Sequence, residues 1–238
     1  LEFAAAARKR GIEVTVLEVA QRPLARAVSA ETARYLTDAH RRMGTDLRTD
    51  EGLAALETRD GAVRAAVGGS GQCYPADLVL LGIGVRPRAE LALRAGLPVD
   101  DGIVVDEHLR TCDPAIYAIG DCARFPADGG ASHRLESVQN ATDQARHVAS
   151  TILGSTVGGY CALPRFWSNQ GSVRLQIAGL TRPGDTTETR GDVAGGRFSV
   201  HCFRGGRLVA VESVNRPADH MAARRVLSAS ELSPLESP

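Results

Sequence analysis

The sequence predicts an α/β protein followed by a small α+β portion, and three observations carry that prediction. A helix-forming run, a glycine and an alternating β-branched run open the chain. Two nearly all-apolar runs, Asp77 to Gly82 and Ala115 to Ile119, read as strands buried on both faces of a parallel sheet. Beyond Gly158-Gly159 the pattern changes to strands separated by Gly, Arg and Asp turns and closed by one helix.

Leu1 to Arg10 is alanine-rich with basic residues at its end, and Gly11 stands where a helix C-terminal glycine belongs. Glu13 to Val19 alternates and reads as a strand. Ala30 to Met43 reads as a helix, with Ser29 as N-cap and Glu31 in the first turn. Leu53 to Val67 reads as a hairpin about Asp60-Gly61. Glu90 to Ala95 is a short helix ended by Gly96, and Ile103 to Asp106 a short strand. A loop runs from Pro126 to Ser132, and Ser137 to Leu153 is a long amphipathic helix. Val173 to Ala178, Phe198 to Phe203 and Leu208 to Val214 read as strands, the last two joined at Arg204-Gly205-Gly206-Arg207. Pro217 opens a helix to about Leu227, and a polar tail follows from Ser228.

The 238 residues suffice for one large domain or two small ones. Basic and acidic residues number 28 each, so the chain lacks the positive excess of a general nucleic-acid binder. Lys9 is the only lysine. No apolar run approaches the roughly 20 residues that span a bilayer, so no membrane role is expected, and the cytoplasm is the expected compartment. The five cysteines form no C-x-x-C pair, which argues against a zinc knuckle or a redox disulfide and predicts no metal site.

Two stretches carry chemistry. Glu18 ends the first predicted strand, where the acid of a dinucleotide-binding βαβ unit accepts hydrogen bonds from ribose hydroxyls. A glycine loop ending just before Leu1 would give the usual spacing of about 20 residues; a solvated strand-end glutamate is the alternative. In Thr111 to Asp121 (TCDPAIYAIGD), a predicted strand delivers Gly120, which permits close backbone approach, and then a carboxylate suited to a polyol.

That eleven-residue stretch resembles the second FAD-binding motif of the two-dinucleotide-binding-domain flavoproteins, the pyridine-nucleotide reductases. Gly82-Ile83-Gly84-Val85-Arg86-Pro87, Arg134 to Ala141 (RLESVQNA), Phe166-Trp167-Ser168-Asn169-Gln170 and Val214-Asn215-Arg216-Pro217 narrow the likeness. Together they are similar to the FAD-dependent, NADH-using ferredoxin reductases that serve bacterial oxygenases. Arg88 stands where that family more often has Asn.

The resemblance implies a partial two-dinucleotide-binding-domain flavoprotein. Residues 1–84 are its NAD-binding domain without the first strand and glycine loop, 85–158 the C-terminal segment of its FAD-binding domain, and 159–238 its α+β reductase domain. Roughly the first 150 residues of the family's chain have no counterpart here, so the chain is expected to be part of a longer enzyme. The implied activity passes electrons from NADH through FAD to a 2Fe–2S ferredoxin, with the cofactor performing the redox chemistry and no side-chain acid, base or nucleophile. Asp121 is expected at the flavin ribityl chain with Gly120 beside it, the Val138 amide at the flavin ring, Glu136 in the same turn and Trp167 near the isoalloxazine. Glu18 is expected at the adenosine ribose, favouring NADH over NADPH, Glu2 near the nicotinamide, and Gly82 and Gly84 in a turn against the NAD ribose. The alternatives are a disulfide or peroxide reductase of the same superfamily and a non-catalytic fragment.

Overall fold

The computed structural model describes residues 1–126, 132–155 and 158–231. Residues 127–131 of the predicted loop and 232–238 of the polar tail lie outside the described residues. The backbone divides into two compact units, Leu1–Gly82 with Trp167–Pro238, and Ile83–Phe166.

The first unit opens with α1 (Glu2–Lys9), whose Ala4, Ala5 and Ala7 face inward. The strand expected from Glu13 to Val19 is only β1 (Thr15–Leu17). Ser29 caps α2 (Ala30–Arg42) by accepting from the Thr32 N–H, as the sequence predicts. β2 (Asp46–Arg48) then lies parallel to β1, with Thr15 opposite Asp46. The hairpin β3 (Leu53–Arg59) and β4 (Ala62–Gly68) turns at Asp60 and Gly61, with φ of 55° and 76°, the left-handed pair that a two-residue hairpin turn needs. β5 (Cys73–Pro75) pairs with β4.

The second unit holds α3 (Glu90–Arg94), β6 (Ile103–Val104), β7 (Ala123–Pro126), β8 (Ser132–His133) and α4 (Val138–Ile152). β6 and β7 are parallel, and β8 pairs antiparallel with β7. Ser137 caps α4, accepting from the Asn140 N–H at 3.4 Å.

A five-stranded sheet of order β11-β12-β13-β10-β9 dominates the C-terminal part. Its strands are β9 (Arg165–Gln170), β10 (Val173–Gly179), β11 (Thr186–Asp192), β12 (Arg197–Arg204) and β13 (Arg207–Val214). α5 (Pro217–Glu231) packs on β13 and β10 through Ala223 and Leu227. Phe198, Val200, Val211 and Val214 are buried, and Tyr35 of α2 meets Phe198 edge-on at 4.9 Å. No described helix is long and apolar enough to cross a membrane.

Two predicted strands are corrected. Asp77 to Gly82 forms no strand, and Leu78, Leu80 and Leu81 are 74%, 62% and 57% exposed. A ladder partner, not apolar composition, makes a strand, and among the described residues of this unit the one parallel ladder joins β1 to β2. Ala115 to Ile119 also forms no regular strand. Asp113 accepts from the Ala115 N–H and turns the chain back, so Thr111 N–H donates to Ile116 O and Ala118 N–H to Leu109 O. Only Ala118 of that run is buried.

Candidate functional site

In the second unit the Gly120-Asp121 turn sits against α4. Gly120 has φ +74°, and a Cβ there would meet the Ala141 Cβ at 3.5 Å. Its N–H donates to the Gln144 side-chain oxygen at 2.6 Å, and Gln144 is fully buried. Asp121 and Val138 line one open depression with Ala141, Thr142 and Ala145, of about 560 Å³. Val138 is 71% exposed at the start of α4. The first helical turn carries no acidic residue, and its first residue, Val138, lines that depression at the positive end of the helix dipole.

Arg134 ties this turn together. Its guanidinium donates to the Asp121 backbone carbonyl at 3.0 Å, to the Asp101 carbonyl at 2.9 Å and to the Glu136 carboxylate at 2.5 Å. Burial opposes its charge, yet the Glu136 and Asp101 carboxylates more than offset that and raise its pKa. Glu136 is thus an ion-pair partner one residue before the helix cap, and Ser137 Oγ donates to Arg165 O at 2.9 Å.

In the first unit Glu18 follows the last residue of β1, at the carboxyl edge of the parallel pair, where open α/β sheets bind ligands. Its Oε1 accepts from the Ala20 N–H at 2.9 Å. Beyond it, Arg22 donates to the carbonyls of Val28, Ala25 and Ser29, closing the loop on itself. Glu2, in the first turn of α1, accepts from Ser168 Oγ and from the Asn169 N–H, both at 2.8 Å. Trp167, the residue before Ser168 on β9, is 52% exposed. Gly82 closes the chain segment of this unit, and Gly84 lies in the other; Gly84 has φ +94°, and a Cβ at either would meet nothing within 4 Å.

Gly120, Asp121, Glu136 and Val138 therefore gather in one unit, and Glu2 and Trp167 share a neighbour in the other. Sequence reasoning missed Gln144 and the clamping role of Arg134. The signal for Gln144 was present: Asn140 and Gln144 are polar residues four apart on the inner face of an amphipathic helix. Among the described residues no three His, Cys, Asp or Glu side chains gather as a metal site.

A parallel strand pair with an acid at its carboxyl edge in one unit, and a glycine–aspartate turn packed on a helix in the other, are features of the α/β class. The chain belongs to the pyridine nucleotide-disulphide oxidoreductase family, which it matches over residues 1–145, and it matches the reductase C-terminal family over residues 165–236. It is 51% identical to rhodocoxin reductase of Rhodococcus erythropolis, over 96% of this chain and 53% of that protein. It is 40% identical to putidaredoxin reductase CamA of Pseudomonas putida, over 96% of this chain and 54% of that one. Among solved structures it resembles the ferredoxin reductase for the CYP199A2 system of Rhodopseudomonas palustris, with a TM-score of 0.94 and 45% identity over 97% of this chain and 57% of that one. The chain thus spans about half the length of the curated relatives it matches.

Proposed function

We propose that the chain forms part of an FAD-dependent NADH:ferredoxin reductase that delivers electrons to a 2Fe–2S ferredoxin of an oxygenase system. The observation that carries this reading is the pairing of Asp121 with the exposed N-terminus of α4 in one open depression. FAD, when bound, accepts hydride from NADH and releases electrons singly to an iron–sulfur acceptor.

The donor set fits such a cofactor. Asp121 accepts hydrogen bonds from ribityl hydroxyls, and Gly120 lets the backbone approach closely. The Val138 N–H and the α4 dipole stabilise negative charge on the pyrimidine side of the ring. Glu136 holds Arg134, which holds the Asp121 carbonyl. Trp167 corresponds to an aromatic residue near the isoalloxazine in the family that the chain resembles. Glu18 accepts from the adenosine ribose hydroxyls and repels a 2′-phosphate, Glu2 stands near the nicotinamide, and Gly82 and Gly84 leave room for the NAD ribose. The likeness to reductases named for rhodocoxin and putidaredoxin supports a ferredoxin partner. NADH supply makes the cytoplasm the compartment of this reading.

The test is steady-state turnover with NADH of the complete FAD-loaded enzyme that carries this chain, using ferricyanide and then a 2Fe–2S ferredoxin as acceptor; the 238 residues expressed alone are expected to be colourless and inactive. Activity with both is expected. A flavin-loaded preparation that passes no electrons from NADH to either would overturn the reading.

A further inference from the structure

A line of hydrogen bonds runs from the core of the first unit to the exposed carboxylate of Glu2. It begins at His40 on α2, whose imidazole is fully buried. His40 Nε2 lies 3.0 Å from the side-chain oxygen of Gln170, itself 1% exposed. The Gln170 amide nitrogen donates to Ser168 Oγ at 3.0 Å, and Ser168 Oγ donates to Glu2 Oε1 at 2.8 Å. The Asn169 N–H donates to the same oxygen.

With the Gln170 side-chain oxygen toward His40, each bond in this line takes one direction. An amide oxygen only accepts, so His40 must carry its proton on Nε2 and leave Nδ1 as acceptor toward Thr45 Oγ1, 3.5 Å away. Gln170 then presents its NH2 to Ser168, and the single hydroxyl proton of Ser168 is left for Glu2. Burial holds the His40 pKa below its ordinary value, which keeps the imidazole neutral and the direction constant at neutral pH.

Two polar side chains inside an apolar core need a reason, because shape-matched apolar residues would fill that space without any demand for partners. Here the line leads outward, to a carboxylate at the N-terminus of α1 and to the strand that carries Trp167.

We propose that His40, Gln170 and Ser168 are positioning residues that fix the Glu2 carboxylate and the Trp167 segment of β9 in one relation, so that nicotinamide and flavin meet in a reactive geometry. This rests on the reading of Glu2 and Trp167 as cofactor-facing. Misplacement of reacting groups lowers the rate of the chemical step more than it lowers affinity.

The experiment compares Ser168→Ala, Ser168→Thr and Gln170→Glu. Ser168 lies toward the surface, so its variants leave the fold intact, and Thr retains the hydroxyl. In the FAD-bound holoenzyme, Ser168→Ala and Gln170→Glu are expected to slow NADH-dependent flavin reduction about tenfold, with the KM for NADH within about twofold. Ser168→Thr is expected to stay near the unsubstituted rate. Trp167 is the chain's single tryptophan, so acrylamide quenching of its emission reads the same segment without any cofactor. Quenching should rise in Ser168→Ala and Gln170→Glu and not in Ser168→Thr. Unchanged rates and unchanged quenching in Ser168→Ala overturn the proposal, as does a rate loss that Thr does not restore. If the unsubstituted holoenzyme reduces no flavin with NADH, the functional reading falls, and the quenching series alone decides the positioning line.

Discussion

The backbone N–H of Gly120 donates to the side-chain oxygen of Gln144, and this one bond couples the glycine–aspartate turn to the second turn of α4. It spans 24 residues and is buried at both ends. Gly120 adopts a left-handed conformation there, and the Gln144 bond compensates the amide that this conformation turns inward. Asp121 owes its place in the depression to that pairing.

Replacement of Gln144 by Leu removes the acceptor and leaves the Gly120 N–H buried and unpaired. The cost is on the order of 1–3 kcal/mol for a buried donor without a partner. Flavin retention on dialysis should fall together with thermal stability. A Gln144→Glu variant restores the acceptor and should recover flavin binding in its ionised form. Equal flavin retention in Gln144→Leu and the unsubstituted protein would show that the turn is held by other means.

Arg134 bridges three separate segments, at Asp101, Asp121 and Glu136. Its replacement by Lys keeps the charge but loses the fork that reaches two carbonyls and a carboxylate at once. We expect Arg134→Lys to weaken flavin binding several-fold and Arg134→Ala to weaken it about tenfold, measured by fluorescence titration. If Lys serves as well as Arg, the geometry of the fork is not what matters.

Glu18 governs the choice between nucleotides under the proposed reading. Its carboxylate repels a 2′-phosphate and accepts from a ribose hydroxyl, so Glu18→Ala should reduce the preference for NADH over NADPH at least a few-fold. That scale corresponds to about 1–2 kcal/mol for a charge-assisted hydrogen bond. Arg22 donates only to loop carbonyls among its assigned bonds, so it is held away from binding a phosphate in compensation. The ratio of kcat/KM for the two nucleotides is the measurement, and a protein that already prefers NADPH defeats the assignment.

Local chemistry was legible in the sequence wherever it decides the structure alone. Ser29 and Ser137 cap their helices as expected. Asp60-Gly61 and Gly205-Gly206 adopt the positive φ angles of tight hairpin turns. What the sequence hid depends on distant partners. The apolar run from Leu78 to Leu81 looks like a central strand, yet pairing is decided by a neighbouring strand and not by the run itself. β11 escaped notice for the opposite reason: its residues TTETRGD are all exposed on an edge strand, so no apolar alternation marks it. Asp121 and Val138, singled out by motif, line one depression, whereas Gln144 gains its meaning only when the chain returns to Gly120.

Glu212 supplies a pH test of the first unit. It is fully buried on β13 and accepts from the Ser29 N–H at 2.7 Å and from Ser29 Oγ at 2.6 Å, which anchors the start of α2 to the C-terminal sheet. Burial raises its pKa above the ordinary value near 4.5, against the opposing effect of the Ser29 bonds. The folded state therefore binds a proton that the unfolded chain has already released. Stability from this carboxyl is fully present below pH 4.5 and is lost as pH rises through the raised folded value. Glu212→Gln carries no titrating proton and keeps an acceptor for the Ser29 N–H, so its stability relative to the unsubstituted chain should increase with pH across that window. The gain should be largest once the native carboxyl is ionised. Glu212→Leu, which leaves the Ser29 groups unpaired, should be destabilised at every pH. Urea unfolding from pH 5 to 9 reads both series, and a Gln-minus-Glu difference that stays constant with pH would show that Glu212 keeps the same protonation state folded and unfolded.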